Sequence, residues 1–235
     1  TPMKLHFTKM EGTGNDYIYF DCMQYEIPSP ESISVILSDR HFSIGSDGII
    51  LILPSSVADA KMRMFNRDGT EGKMCGNGIR CVAKYLYEHN IVRKNRMTIE
   101  TLSGVRKLHL YIQNDIVGSV AVDMGKALLE PAQVPVLLDG ESVVDRPIDV
   151  DGTEYKVTCM SMGNPHCVTF MENVDTLDIN RVGPEFELHP LFPDHVNAEF
   201  VQVLNRASLK MRVWERGSGE TWACGTGACA AAVAA

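Results

Sequence analysis

Two cysteines, each at the start of a glycine-rich turn, are the residues of this chain whose type and spacing best suit chemistry. The segment 75–78 (Cys-Gly-Asn-Gly) is matched by 224–227 (Cys-Gly-Thr-Gly), 149 residues later. Glycines let the backbone turn sharply, and the free amides of a helix that follows attract anions. Because a helix start also stabilises a thiolate, we expect both thiols to have pKa values roughly one unit below about 8.5. A thiolate paired with a thiol suits removal of a proton from one face of a substrate and its return to the other.

The offset of 149 residues recurs along the chain. Residues 61–67 (Lys-Met-Arg-Met-Phe-Asn-Arg) reappear at 210–216 as Lys-Met-Arg-Val-Trp-Glu-Arg, and Gly-Asn at 14–15 reappears at 163–164. A fixed offset without insertions indicates an internal duplication. We therefore expect two similar domains, 1–124 around Cys75 and 125–235 around Cys224, which place two equivalent thiols on either side of a pseudo-twofold axis.

The hydrophobic pattern predicts a mixed α/β fold in which antiparallel strands predominate. The segments expected to be strands are 3–9, 16–21, 48–54, 61–66, 97–102, 106–112, 116–123, 155–161, 166–171, 198–204 and 209–215. The segments expected to be helices are 30–40, 77–90, 179–187 and 226–235. Glycine, proline and acidic residues accumulate over 124–150, where we expect the hinge.

The duplication also predicts strands that the second half lacks. The first half continues with strands over 97–123, and their counterparts at the same offset would fall near 246–272, whereas the sequence ends at Ala235. We therefore expect the second domain to be truncated at its C-terminal end.

Composition excludes several classes of protein. A net charge of −8 provides no basic surface for nucleic acid. No apolar run approaches the roughly 18 residues that cross a bilayer. Seven cysteines at irregular spacings suit the reducing cytoplasm better than a disulfide framework. We expect a cytoplasmic protein without a nucleic-acid or membrane partner.

Polar residues near the two turns are weaker candidates when each is taken alone. Asn15 and Asn164 follow glycine at matched positions, which turn formation explains about as well as ligand binding does. Position 66 is asparagine and its counterpart is Glu215, so the two copies differ there between an amide and an acid, which suits an asymmetric ligand. Arg216 suits a carboxylate, although a surface ion pair is the more common role.

Four motifs resemble the signatures of the diaminopimelate epimerases. They are 12–16 (Gly-Thr-Gly-Asn-Asp), 66–81 with the first cysteine turn, 163–167 (Gly-Asn-Pro-His-Cys) and 215–228 with the second. The resemblance covers essentially the whole chain. It implies two domains with strands wrapped around a central helix, a homodimer, and cofactor-independent interconversion of LL- and meso-diaminopimelate, a small amino acid on the route to lysine and peptidoglycan.

Roles carry over from this resemblance by matching position. Cys75 and Cys224 would be the acid/base thiols, and His166 and Glu215 would tune them. The residues that would bind the substrate are Asn15, Asn66, Gly76, Asn77, Asn164, Asn197, Glu215, Arg216, Gly225 and Thr226. The resemblance implies no metal. One departure is Gly48, where some members carry a glutamine that contacts the substrate.

Three alternatives stay open from sequence. A proline or hydroxyproline racemase has a related two-cysteine design, but a longer diamino dicarboxylate is favoured by Asn66, Asn77, Asn197 and Arg216. A metal-binding module would use Cys75, Cys81, Cys224 and Cys229, whose spacings do not fit the usual zinc sites. A thiol redox protein would need a Cys-x-x-Cys motif, which the sequence lacks.

Overall fold

The protein comprises two compact units, of which the first ends at Asp123 and the second begins at Met124. The structure, a computed structural model, describes residues 4–235. Within that range, no helix is long and apolar enough to cross a membrane.

The first unit is a curled sheet with one helix packed on each face. Its elements are β1 (Thr8–Gly12), β2 (Asn15–Asp21), α1 (Pro30–Ser38), β3 (Gly48–Leu53), β4 (Ala60–Asn66), β5 (Glu71–Gly72), α2 (Gly76–Glu88), β6 (Arg96–Thr101), β7 (Gly104–Gln113) and β8 (Ile116–Val122). The strand order is β1-β2-β3-β4-β6-β7-β8, and β5 pairs with β4. The pairs β2–β3 and β4–β6 are parallel, and the other neighbours are antiparallel.

The apolar run of β3 explains the two helices of this unit. A strand buried on both faces has a nearly continuous hydrophobic sequence, because successive side chains point to opposite sides. Ile50 and Ile52 join the cluster that contains Leu86 of α2. Ile49 and Leu51 join the other cluster, against which α1 packs. The sheet thereby fixes the start of α2, which carries the first cysteine turn.

The second unit has the same plan. Its elements are β9 (Val143–Val150), β10 (Thr153–Ser161), β11 (Pro165–Phe170), α3 (Ile179–Glu187), β12 (Asn197–Asn205), β13 (Ser208–Glu215), β14 (Gly219–Thr221) and α4 (Gly225–Ala234), preceded by a 3-10 turn at Pro131–Gln133. The strand order is β14-β13-β12-β11-β10-β9. The pair β11–β12 is parallel, which places the starts of these two strands side by side.

Two apolar clusters flank the second sheet as well. Phe186 of α3 packs edge to face on Phe200 of β12, at 5.2 Å between ring centroids. On the other face, Val168 and Val201 pack with Ala230 of α4. Small side chains on α4 let this helix lie close to the strands.

The predicted mixed α/β fold with mainly antiparallel strands is confirmed, and three details of the predicted elements are wrong. The first strand begins at Thr8 rather than at residue 3, which lies outside the described residues. No strand was predicted within 124–150, which contains β9 and the 3-10 turn, while the hinge itself stays a prediction. The short strands β5 and β14, which precede the two cysteine turns, were not predicted.

Candidate active site

Cys75 is the N-cap residue of α2. Its backbone is extended, with φ −135° and ψ 113°, and its sulfur accepts a hydrogen bond from the Gly78 amide at 3.2 Å. A β-carbon at Gly78 would lie 2.5 Å from Cδ1 of Ile50, so glycine lets the helix start sit directly on β3. The thiol therefore lies among the amides that have no partner within the helix.

Asn15 and Tyr17 of β2 lie next to this thiol, and Asp47 in the loop before β3 holds Asn15. Cys75 Sγ donates to Asn15 Oδ1 at 3.4 Å, and Asn15 Nδ2 donates to Asp47 Oδ2 at 2.8 Å. Burial raises the pKa of Tyr17 well above its ordinary value, and a negative charge at Cys75 raises that pKa further. The phenol next to Cys75 is therefore neutral at any physiological pH.

Cys224 occupies the equivalent position at the start of α4. Its backbone is extended, with φ −121° and ψ 114°, and the Gly227 amide donates to its sulfur at 3.3 Å. The hydroxyl of Thr226 lies 3.4 Å from the same sulfur. The two turns therefore have one geometry, which confirms that the duplicated sequence folds in the same way twice.

The predicted lowering of the thiol pKa is wrong for Cys224. Burial raises the pKa of this thiol to about 12, and the negative charges of Glu215 and Glu199 act in the same direction. Hydrogen bonds from Thr226 and Gly227 oppose the shift but do not overcome it. Desolvation disfavours the charged form of a thiol more than one helix start favours it.

His166 lies beneath Cys224 in a buried hydrogen-bonded chain. Its ring has no exposed surface, with Nδ1 2.7 Å from Glu199 Oε1 and Nε2 2.9 Å from Asn164 Oδ1. Asn164 Nδ2 donates to Thr226 Oγ1 at 3.4 Å. Sequence reasoning missed Glu199, which lies two residues after Asn197 in β12, between Ala198 and Phe200.

The remaining predicted substrate ligands lie at the ends of strands. Asn66 ends β4, and its Nδ2 donates to Thr70 Oγ1 at 2.9 Å. Asn197 begins β12, where its Nδ2 donates to the backbone oxygen of Pro165 at 2.8 Å and its Oδ1 accepts from the amide of Arg216 at 2.9 Å.

Glu215 and Arg216 follow one another at the end of β13. The hydroxyl of Thr221 donates to Glu215 Oε1 at 2.5 Å, and Arg216 Nη1 donates to the backbone oxygen of Asp194 at 2.8 Å. The arginine side chain is exposed and reaches solvent. In the second unit, Asn197 therefore ties the start of β12 to the Glu215–Arg216 corner.

The first residues of α2 and α4 supply the predicted backbone ligands. Gly76 and Asn77 open α2, and Gly225 and Thr226 open α4. Amides in the first turn of a helix have no partner within the helix, so they suit a carboxylate. The side chain of Asn77 is buried, and its Oδ1 accepts from Arg80 Nη2 at 3.0 Å.

Over residues 4–235, no group of three or more histidine, cysteine, aspartate or glutamate side chains is placed to hold a metal ion. All seven cysteines are free thiols. The metal-binding alternative therefore gains no support from the described part of the chain.

Comparison with known proteins gives a family match over most of the chain. The family model described as diaminopimelate epimerase matches residues 7–130 and 158–235, which include both cysteine turns. Diaminopimelate epimerase of Acetivibrio thermocellus is 54% identical over 230 residues, covering 98% of this chain and 82% of that protein. The same-named protein of Desulfovibrio desulfuricans is 54% identical over 236 residues, with the same coverage.

Solved structures share the fold at low sequence identity. A probable proline racemase from Agrobacterium radiobacter superposes with a TM-score of 0.70 at 15% identity, covering 99% of this chain and 78% of that one. A hydroxyproline epimerase from Agrobacterium vitis gives a TM-score of 0.63 at 15% identity, covering 97% and 75%. These likenesses confirm the predicted two-domain epimerase fold and, at such identities, show the fold alone.

Proposed function

We propose that this chain, which belongs to the diaminopimelate epimerase family, is an isomerase that interconverts LL- and meso-diaminopimelate without a cofactor. The observation that carries the proposal is 54% identity to proteins of that name over 98% of the chain. The reaction places the protein in the synthesis of lysine and of peptidoglycan precursors.

Cys75 and Cys224 act as a two-base pair in this proposal. The thiolate of one removes the α-proton, and the thiol of the other delivers a proton to the opposite face of the same carbon. The roles exchange with the direction of the reaction, so neither residue has to move around the substrate. The equal geometry of the two turns supports this assignment, since each sulfur accepts a hydrogen bond from a glycine amide at the third helical position.

Stabilisation of the developing negative charge is the second requirement. The carbanion-like transition state shifts charge onto the adjacent carboxylate, so donors must point at that group before the reaction begins. The amides of Gly76 and Asn77 on α2, and of Gly225 and Thr226 on α4, serve as these donors. This assignment is supported by the position of the four amides in the first turns of two helices, where amides have no partner within the helix.

The other predicted residues hold the remainder of the substrate. Asn66, Asn197 and Arg216 bind the distal end, and Asn15 and Asn164 also hold the substrate. Glu215 contributes to substrate binding and, with His166, tunes the cysteines. Its effect on the pKa of Cys224 supports the tuning role.

We further propose that the protein works as a cytoplasmic homodimer on a small amino-acid substrate, without a nucleic-acid or membrane partner. Seven free thiols support a reducing compartment, and the net charge of −8 is unsuited to nucleic acid.

The proposal is tested by incubating the protein with LL-diaminopimelate in deuterated water and following label entry at one stereocentre. We expect epimerisation to be abolished in Cys75→Ala and in Cys224→Ala, because each direction needs both an acid and a base. Cys229→Ala, a change further along α4, is the control and should retain activity. Substantial epimerisation in either of the first two variants would contradict the two-base assignment.

The nearest alternative is a proline-type racemase, which the same assay distinguishes. Turnover of proline in place of diaminopimelate by the wild-type protein would move the assignment to that class.

A further inference from the structure

The two cysteine turns rest on chemically different side chains. At the shared offset of 149, Glu199 corresponds to Ile50 and His166 corresponds to Tyr17, since 199 − 50 and 166 − 17 both equal 149. The correspondence holds in space as well. A β-carbon at Gly78 would meet Ile50 at 2.5 Å, and one at Gly227 would meet Glu199 Oε1 at 2.7 Å.

The carboxyl group of Glu199 is buried against the start of α4. Its side chain has no exposed surface, and its Oε2 has no hydrogen-bond partner within residues 4–235. The titratable groups that face it are His166 on β11, Glu215 on β13 and Cys224 on α4, and Cys167 lies nearby on the other face of the sheet. Burial raises the pKa of Glu199, and His166 opposes that shift. An isolated buried carboxylate is costly, so the 2.7 Å contact with His166 must hold a proton.

The proton on that contact sets the direction of the hydrogen bonds that follow. His166 Nε2 contacts the carbonyl oxygen of Asn164, so Nε2 carries a hydrogen and donates. Nδ1 then either accepts a hydrogen bond from the O–H of a neutral Glu199 or, as part of an imidazolium, donates a hydrogen bond to the Glu199 carboxylate. In both states the Glu199–His166 pair holds one shared proton and is neutral overall.

Asn164 transmits this direction to the cysteine. Because its carbonyl oxygen accepts from His166, its amide nitrogen faces Thr226 Oγ1 and donates to it. The threonine hydroxyl keeps its own hydrogen for another acceptor. Cys224 Sγ lies 3.4 Å from that oxygen, and a thiolate there can only accept.

We propose that Glu199 is a positioning residue which, through the proton it shares with His166 Nδ1, orients Asn164 so that the Thr226 hydroxyl donates to Cys224. The inference rests on the proposed role of Cys224 as an acid and base. Without an acid at position 199, His166 can carry its hydrogen on Nδ1 and accept at Nε2. Asn164 would then turn its amide to His166 and its oxygen to Thr226, and the hydroxyl would no longer donate to the sulfur.

The first test measures thiolate formation at Cys224 rather than turnover. Wild type, Glu199→Gln and Glu199→Met are treated with iodoacetamide over a pH series, and alkylation of each cysteine is followed by peptide mass spectrometry. We expect alkylation of Cys224 to fall about tenfold in Glu199→Met, which corresponds to a rise of about one pKa unit. Glu199→Gln should stay within about threefold of wild type, because its amide can donate to His166 Nδ1. Glu154→Met, an exposed position on β10, is the matched control.

The sign of the effect separates this proposal from a simple charge effect. If Glu199 acted only as a negative charge near Cys224, both Glu199 variants would alkylate faster than wild type. Faster or unchanged alkylation in Glu199→Met would overturn the proposal, as would an equal loss in Glu199→Gln. Alkylation of Cys75 in the same digest should be unchanged, since Cys75 belongs to the other unit.

If Glu199→Met does not fold, a second measurement, made on the wild type, still tests the proposal. Nitrogen NMR of the His166 ring in wild type should show a hydrogen on Nε2 throughout the pH range of the folded protein. An unprotonated Nε2 would overturn the proposal. Neither measurement depends on epimerase activity, so a failure of the proposed function remains distinguishable from a failure of this inference.

Discussion

At the scale of single residues, the third helical position of each cysteine turn is glycine, but a β-carbon there would meet a different neighbour in each copy. The neighbour of Gly78 is the terminal methyl group of Ile50, which is the far end of a flexible side chain. The neighbour of Gly227 is a carboxyl oxygen of Glu199, which His166 holds in place at 2.7 Å. The same substitution therefore has unequal consequences in the two copies.

We expect Gly227→Ala to lower the stability of the protein by about 1–3 kcal/mol, since overpacking forces fixed neighbours apart. Gly78→Ala should change stability by less than about 1 kcal/mol, because alanine gains roughly 0.5–1 kcal/mol in a helix and Ile50 can adjust. Differential scanning calorimetry of both variants provides the comparison. Equal losses in the two variants would show that the Glu199 carboxyl group is not rigidly held.

The pKa of Cys224 predicts a loss of stability in alkaline solution. Burial raises this pKa from 9.0 to about 12. Between these two values the unfolded chain gives up the thiol proton while the folded chain keeps it, so the unfolded state binds fewer protons. Stability contributed by this group therefore falls as the pH rises through that window.

Replacing the thiol removes this contribution. We expect the Tm of wild type to fall more steeply between pH 9 and pH 11 than the Tm of Cys224→Ala, when each is compared with its own value at pH 8. Parallel curves for the two proteins would contradict the raised pKa.

At the scale of elements, the sequence predicted the helices and long strands but not all of the short or irregular segments. Helices α2 and α4 were predicted because a glycine turn is followed by helix-forming residues. Strand β9 was missed because Pro147 and three aspartates within 143–151 resemble a loop, whereas the strand forms through pairing with β10. Such pairing is a tertiary effect that local propensity does not contain.

The candidate site was also predicted only in part. Its cysteines and glycines were found because they are duplicated, and the motif residues were found by resemblance. Glu199 was not found because a lone acid in a strand usually faces solvent. Its partners, His166 and Gly227, lie 33 and 28 residues away, and only the folded sheet brings them together.

Strand β3 offers a test of how its first residue is held. Gly48 has a φ of +155°, and a β-carbon there would lie 2.0 Å from the backbone oxygen of Phe65 in the neighbouring strand. A glutamine, which some family members carry here, therefore requires a different local backbone. The way β3 pairs with β4 in this structure therefore leaves room only for glycine at position 48.

We expect Gly48→Ala to destabilise the protein by more than about 2 kcal/mol, because the clash with backbone adds to the strain of the positive φ. Gly104→Ala is the matched control, since Gly104 has a φ of +101° with no atom within 4 Å of a β-carbon. Thermal unfolding of both variants separates the cost of the positive φ, which both share, from the cost of the backbone clash, which only Gly48→Ala has. A loss at Gly48 no larger than at Gly104 would mean that β3 and β4 move apart easily.

At the scale of the whole molecule, the two halves of a duplicated chain share one backbone arrangement around the cysteine but differ in the side chains next to it. Both units hold a cysteine at a helix start, but one thiol rests on Ile50 and Tyr17 and the other on Glu199 and His166. The fold itself does not set the substrate, because a probable proline racemase shares it at a TM-score of 0.70. Substrate choice must therefore depend on particular residues, of which Arg216 is the strongest charged candidate.

The last prediction tests that choice. If Arg216 binds the distal carboxylate of diaminopimelate, Arg216→Met leaves a bound anion without its charged partner. Such a loss typically costs about 2–5 kcal/mol, or roughly 30- to 4,000-fold in kcat/KM. Because remote binding energy also positions the reacting carbon, we expect kcat to fall along with affinity. Arg181→Met, on the exposed surface of α3, is the control and should leave kcat/KM unchanged. An unchanged kcat/KM for diaminopimelate in Arg216→Met would contradict the role assigned to this arginine. Proline has no distal carboxylate, so turnover of proline by the wild-type protein, unaffected by Arg216→Met, would move the assignment to the proline-type racemases.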